Sequence, residues 1–243
     1  SENYANTQNI IYMKVFSSKT NVRVINSENG CPDSIYVDSV QTNFNEDGNI
    51  EIENNGIKNV TMIWNNKAQT CEKLFNNIDS VFEIEPGETP TSEVTSMSEM
   101  FSGCTQLQYI NFGNIDTSHV ETLYSMFYYC NSLISLDLSK FDTTLVYDMG
   151  LLFSGCSSLK TLNISNFNTS NTIYMNEMFN YCSSLISLDL SNFDTSNVEN
   201  MKGIFSDCHL LAYVNLSSFN TFKVLDIDSM FSRCYSLISL DIS

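Results

Sequence analysis

The chain of 243 residues is 42 % hydrophobic and 12 % aromatic, enough apolar material to bury a substantial core. Its 28 Asp and Glu against 11 Lys and Arg give a net charge of -17, a field that repels phosphate backbones and anionic headgroups, so no nucleic-acid partner is expected. No apolar run approaches the roughly 20 residues that span a bilayer and no basic-then-apolar leader opens the sequence, so this segment is not expected to insert directly into a membrane. Because it opens on Ser1 and closes on Ser243 inside a repeat, it is expected to be part of a longer protein.

Residues 1–66 read as short strands, at Ile10 to Phe16, Asn21 to Asn26, Ser34 to Phe44, Asn49 to Glu53 and Val60 to Trp64, parted by Gly, Asn and Asp turns. This segment is expected to be a small β-rich cap over the open end of a periodic region, with the boundary near residue 67. Within it, Asn43 to Gly48 has oxygen-bearing side chains at alternate positions before a glycine, as a calcium loop does. Such a loop starts on Asp and ends on Glu at its twelfth position, whereas here those places hold Asn43 and Asn54, so a hairpin turn at Asp47-Gly48 is the better reading.

From residue 67 to 243 the chain is periodic. Phe75, Phe101, Phe127, Phe153, Phe179, Phe205 and Phe231 fall 26 residues apart, and Cys104 to Cys234 and Leu107 to Leu237 keep the same step. Residues 71–93 form a degenerate first coil, with Ile78 in the cysteine column. The first half of each unit carries apolar residues at steps of three and four, as in Val198, Met201, Ile204, Phe205 and Cys208, with capping-box pairs such as Ser196 and Glu199 ahead of them. That pattern predicts a short helix. The second half, as in Leu185 to Leu190, alternates apolar and small polar residues and predicts a short strand. The expected fold is therefore an α/β repeat solenoid, its 26-residue coils stacked about 4.8 Å apart with a parallel sheet on one face.

The segments Met100 to Cys104 and Leu185 to Ser196 resemble the BspA-type leucine-rich repeat family over residues 71–243. The resemblance implies a non-enzymatic protein of the cell surface or the extracellular space, adhesin-like, that presents a repeat surface to a protein or glycan partner. Two alternatives stay open: a structural subunit that stacks end to end with itself into an extracellular filament, and an intracellular interaction scaffold.

Within the solenoid, the outward positions of the strands form the expected partner-binding face: Tyr109, Asn111, Asp137, Asn163, Asp189, Tyr213, Asn215 and Asp241. Amide and carboxylate alternate along this column. Two carboxylates on adjacent coils, about 5 Å apart, would repel by about 3 kcal/mol at an effective dielectric near 20. The acidic column favours a basic or carbohydrate partner or a bridging cation over an anionic one. The six cysteines in register are expected to be a buried, reduced ladder, because parallel Cβ vectors point side by side rather than toward one another. Cys31 and Cys71 stand outside it and are open to a disulfide or to two separate thiols. With no close Cys pairs there is no zinc pattern, and neither a resident metal nor a cofactor is expected. Sequons at Asn59, Asn163, Asn168 and Asn215 are candidate glycosylation sites. His119 and His209 occupy variable positions of their repeats, and no nucleophile turn, zinc-protease helix or phosphate loop occurs, so no catalysis is expected.

Overall fold

The structure, a computed structural model, describes residues 9–17, 21–26, 32–52, 56–64, 70–86 and 91–241. Its strands are β1 (Asn9–Ser17), β2 (Asn21–Arg23), β3 (Ser34–Val37), β4 (Val40–Thr42), β5 (Asn49–Glu51), β6 (Gly56–Trp64), β7 (Val81–Pro86), β8 (Tyr109–Ile110), β9 (Ser135–Asp137), β10 (Thr161–Asn163), β11 (Ser187–Asp189), β12 (Tyr213–Asn215) and β13 (Ser239–Asp241). Of the strand expectations in the amino-terminal region, the single run from Ser34 to Phe44 is two strands turned through Asp38 and Ser39, both at positive φ.

The cap and the repeats share one sheet, in the order β4-β3-β6-β1-β7-β8. β1 runs antiparallel to both β6 and β7, and β7 runs parallel to β8. β7 belongs to the first coil. The antiparallel β1 thus covers the edge of the stack, burying Met13 and Val15 beneath it. A second cap sheet pairs β2 with β5, and the backbone of Asn26 donates to Leu74 of the first coil. At Asp47-Gly48 the chain turns as a hairpin: Gly48 N–H donates to the Asn45 carbonyl, and Asn45 Oδ1 accepts the amides of Asp47 and Asn49.

Beyond the cap the coils stack in strict register, with β9 on β10 and β11 on β12 on β13, all parallel. A second ladder of single bridges links Ser96, Thr122, Asp148, Tyr174, Asn200 and Asp226 along the stack. The phenylalanine column lies inside. From Phe75 to Phe231 the rings stack face to face with centroids 5.2 to 5.9 Å apart, within the range of favourable aromatic contacts.

The described residues contain no helix, which corrects the α/β reading: the repeat solenoid is all-β. The segments predicted as helices are runs of tight turns. In the second coil, Met100, Ser102 and Cys104 donate to the carbonyls three residues back, whereas Met97, Glu99, Phe101 and Gly103 donate to Thr122, Tyr124, Met126 and Tyr128 of the next coil. Every second amide is spent between coils. A helix would need all of them to point along its own axis. Two residues per coil adopt positive φ to make this possible, in the columns Lys73, Glu99, Ser125, Leu151, Glu177, Gly203, Ser229 and Asn77, Gly103, Tyr129, Gly155, Tyr181, Asp207, Arg233. Left-handed residues at a spacing of four end any α-helix before it completes a turn.

Polar side chains make the corners. Asp116, Asp142, Asn168, Asp194 and Asn220 each accept, through Oδ1, the amide two residues ahead. The threonine that follows the first four is buried, and its Oγ1 donates to the carbonyl of the acidic or amide residue one coil on. Thr143 Oγ1 donates to Asn168 O at 2.9 Å and accepts Asn168 N–H at 2.8 Å. The hydroxyl thereby takes the place of a backbone group in the inter-coil ladder.

Candidate functional site

The strand face is built on residues that alternate inward and outward over three positions. In β9 and β11 the leucine is buried and its two neighbours are exposed. The eight sequence-predicted residues all lie on this face. Tyr109, Asn111, Asp137, Asn163, Asp189, Tyr213 and Asp241 are exposed and Asn215 is half-buried. Register pairs Asp137 with Asn163, and Asn215 with both Asp189 and Asp241.

Four of the eight converge. β8 and β9 belong to different sheets although their coils are adjacent, and at that step a groove of about 450 Å³ opens, lined by Tyr109, Asn111, Asp137 and Asn163 with Phe112 and Lys140. Lys140 Nζ donates to the Gly113 carbonyl at 2.8 Å, which fixes the cation at the groove wall. Asp189, Tyr213, Asn215 and Asp241 lie farther along, on the unbroken sheet β11-β12-β13.

The Asn/Asp column also has a task that reading it as a contact surface missed. Asn111, Asp137, Asn163, Asp189 and Asn215 each accept the amide two residues ahead through Oδ1, at 2.9 to 3.3 Å. These are turn caps. Either residue type supplies the same acceptor, which is why amide and carboxylate interchange along the column. The Ser139 hydroxyl and amide hold the Asp137 carboxyl below its usual range, and the Ser191 amide and hydroxyl do so for Asp189. The signal was legible: four of the five are followed at the second position by serine, as in Asp137-Leu138-Ser139.

The cysteine column is buried from Cys104 to Cys208 and half-buried at Cys234, and all six are free thiols. Each Sγ donates to the carbonyl of the phenylalanine in the preceding coil, at 3.0 to 3.2 Å. Burial pushes the Cys104 and Cys156 thiols up to about 12, so neither is a reactive thiolate near neutral pH. Of the other two, Cys71 is a buried free thiol and Cys31 lies outside the described residues.

The two histidines do not meet. His119 Nδ1 lies 3.2 Å from Ser118 Oγ. His209 stacks on Tyr235 and faces Asp207, which also pairs with Arg233 at 3.1 Å. The Ser206 hydroxyl donates to the Asp207 carboxylate rather than to an imidazole. Among the described residues no cluster of three or more His, Cys, Asp or Glu side chains is placed to hold a metal ion, and no helix is long and apolar enough to cross a membrane. Of the sequon asparagines, Asn59, Asn163 and Asn168 are exposed and Asn215 is half-buried.

The model of one protein family, described as "Mycoplasma protein of unknown function, DUF285", matches residues 38–160, 69–184 and 131–242. The chain belongs to the DUF285 family. The DUF285 matches run from the second half of the cap to the last coil, in keeping with a sheet that passes from one into the other without a break. No curated protein and no solved structure matches the chain.

Proposed function

We propose that this DUF285 chain is a non-enzymatic recognition protein, cell-surface or extracellular, whose strand face binds a protein or glycan partner. The observation that carries the reading is the groove between β8 and β9, where an exposed tyrosine, two asparagines and an aspartate converge beside a lysine held in place. A concave site with one aromatic anchor and a few directed polar groups is the usual form of a recognition surface. The likeness of the units to BspA-type leucine-rich repeats supports the adhesin-like assignment. The net charge of -17 favours a basic or neutral partner over an anionic one.

The test is binding of the chain to a panel of immobilised extracellular-matrix proteins and neutral glycans, followed by variants at the groove. Asp137→Asn keeps the Oδ1 acceptor that caps its turn, so it removes charge without removing structure. With Tyr109→Ala, it is expected to weaken binding about tenfold, the equivalent of about 1.4 kcal/mol, with circular dichroism unchanged. Retained binding in the double variant would move recognition off this face, and particle mass that grows with concentration would favour the self-assembling filament.

A further inference from the structure

The turn segments of the coils carry a second groove, of about 560 Å³, that the strand-face reading does not use. It crosses four coils. The first contributes Asn76 and Asn77, the second Glu99, the third Tyr124, Tyr128 and Tyr129, and the fourth closes its end. The tyrosines occupy columns that elsewhere hold Ser98, Ser102 and Gly103 in the coil before, and Gly150, Ser154 and Gly155 in the coil after. The Tyr129 column holds a second ring two coils on, at Tyr181, but no other coil carries an aromatic ring in the Tyr124 or Tyr128 column, so the cluster of three belongs to this place in the stack.

Two glycines set the rings. A Cβ built on Gly155 would stand 3.1 Å from Cγ of Tyr129, and one on Gly150 would stand 3.4 Å from Cδ2 of Tyr124. Each ring therefore lies against bare backbone of the next coil, with no side chain between. Tyr128 meets Tyr129 edge to face at 4.5 Å, which braces the pair. Tyr124 and Tyr129 remain 36 % and 46 % exposed, so the groove presents aromatic surface already fixed before any ligand arrives.

A polar row also lines the groove. Asn77 Nδ2 donates to Asn76 Oδ1, Asn76 Nδ2 donates to Glu99 Oε2 at 3.2 Å, and Lys73 Nζ lies 3.5 Å from Glu99 Oε1. The carboxylate is thus charge-balanced, and the amides and carboxylate retain lone pairs for hydroxyl donors. An anion would meet Glu99 in a strongly acidic molecule, and a cation would find that carboxylate already paired. What fits fixed tyrosine faces beside a near-neutral row of amide and carboxylate acceptors is a ligand with weakly polarised C–H faces and many hydroxyls. The coil spacing of about 5 Å is close to the length of one sugar residue in a chain.

We propose that the groove at Tyr124, Tyr128 and Tyr129 binds a neutral oligosaccharide, its pyranose rings lying on the tyrosines and its hydroxyls bonded to Asn76, Asn77 and Glu99. The site is separate from the strand-face groove and stands or falls without it.

The probes are soluble hexasaccharides of glucose, mannose and N-acetylglucosamine, each offered at millimolar concentration to the intact chain and followed by saturation-transfer NMR and calorimetry. At least one is expected to receive saturation at its ring C–H protons. The substitutions Tyr124→Ser and Tyr129→Asn install residues that the same columns already hold at Ser98 and Asn77, and Asn77 has φ 57, so the left-handed backbone at Tyr129 is kept. Together they are expected to weaken binding about tenfold or more, with the unfolding midpoint unchanged. Tyr109→Ala on the strand face should leave it unaltered. No saturation of any hexasaccharide, or saturation that survives the double substitution or vanishes with Tyr109→Ala, overturns the assignment. So does a basic peptide that displaces the bound sugar and binds more tightly in the same groove.

Discussion

At the scale of single residues, the cysteine column shows why a side chain can recur without serving chemistry. The Phe101 carbonyl already accepts the N–H of Cys104 in its own coil, and Cys130 Sγ of the next coil fills its second lone pair. A thiol is small enough for the buried rung and still a donor, which alanine is not. The same burial has a pH signature. Ionised thiols are disfavoured in the folded chain, where those of Cys104 and Cys156 titrate near 12, while the unfolded chain releases their protons near 9. Between those values the unfolded state binds fewer protons, so stability is intact below about pH 9 and falls as pH rises, by about 1.4 kcal/mol per unit for each buried thiol. Alkaline titration followed by circular dichroism is expected to show a steep transition in this window. Replacing Cys130, Cys156 and Cys182 by Ser, which keeps a donor to each phenylalanine carbonyl, should move the transition to higher pH; an unmoved midpoint would mean that the ladder is not what fails.

At the scale of the element, the turn run and the α-helix bury the same positions. Val94, Met97, Met100, Phe101 and Cys104 are all buried, and their steps of three and four are what a helix would show. The inward face was therefore legible and the backbone path was not. What separates them is the sign of φ, and among fourteen left-handed column positions only Gly103, Gly155 and Gly203, with Asn77 and Asp207 more weakly, hint at it. The others are ordinary L-residues held there by the inter-coil ladder. The strand columns, the cap strands apart from the turn at Asp38 and Ser39, and the hairpin at Asp47-Gly48 were readable from alternation and turn chemistry. Of the candidate site, the outward column was readable, and the serine two positions on carried its turn-capping role; the tyrosine groove was hidden, because Tyr124 and Tyr128 interrupt columns that otherwise hold no aromatic ring. Ser125 distinguishes the two backbones experimentally. It is 4 % exposed at φ 54, in the same column as Gly203 at φ 59. Ser125→Gly should be neutral or stabilise by up to about 1 kcal/mol, since glycine relieves a left-handed residue. In a helix the same change would cost about half that or more. Urea denaturation reads the difference directly.

At the scale of the whole molecule, cap and coils form one continuous structure. The strand face and the turn face are two sides of the same stack, so a change on one leaves the other's core columns untouched. The hydrogen bonds that join coils run from one rung to the next, N–H of one residue to the carbonyl 25 residues on, as from Phe127 to Leu152 and from Phe153 to Met178. Under tension applied between the cap and the last coil, these bonds are loaded in series, as teeth of a zipper are. Extension by single-molecule force spectroscopy is expected to give a sawtooth, each rupture freeing 26 residues, roughly 90 Å of extended chain. The steps from β8 to β9 and from β10 to β11, where the strand ladder is interrupted, should yield at the lowest force. A single all-or-none rupture would show that the coils fail together. If they fail singly, a molecule tethered by one end and holding a partner with the other would lengthen under load while its remaining rungs, and the grooves on them, stay folded.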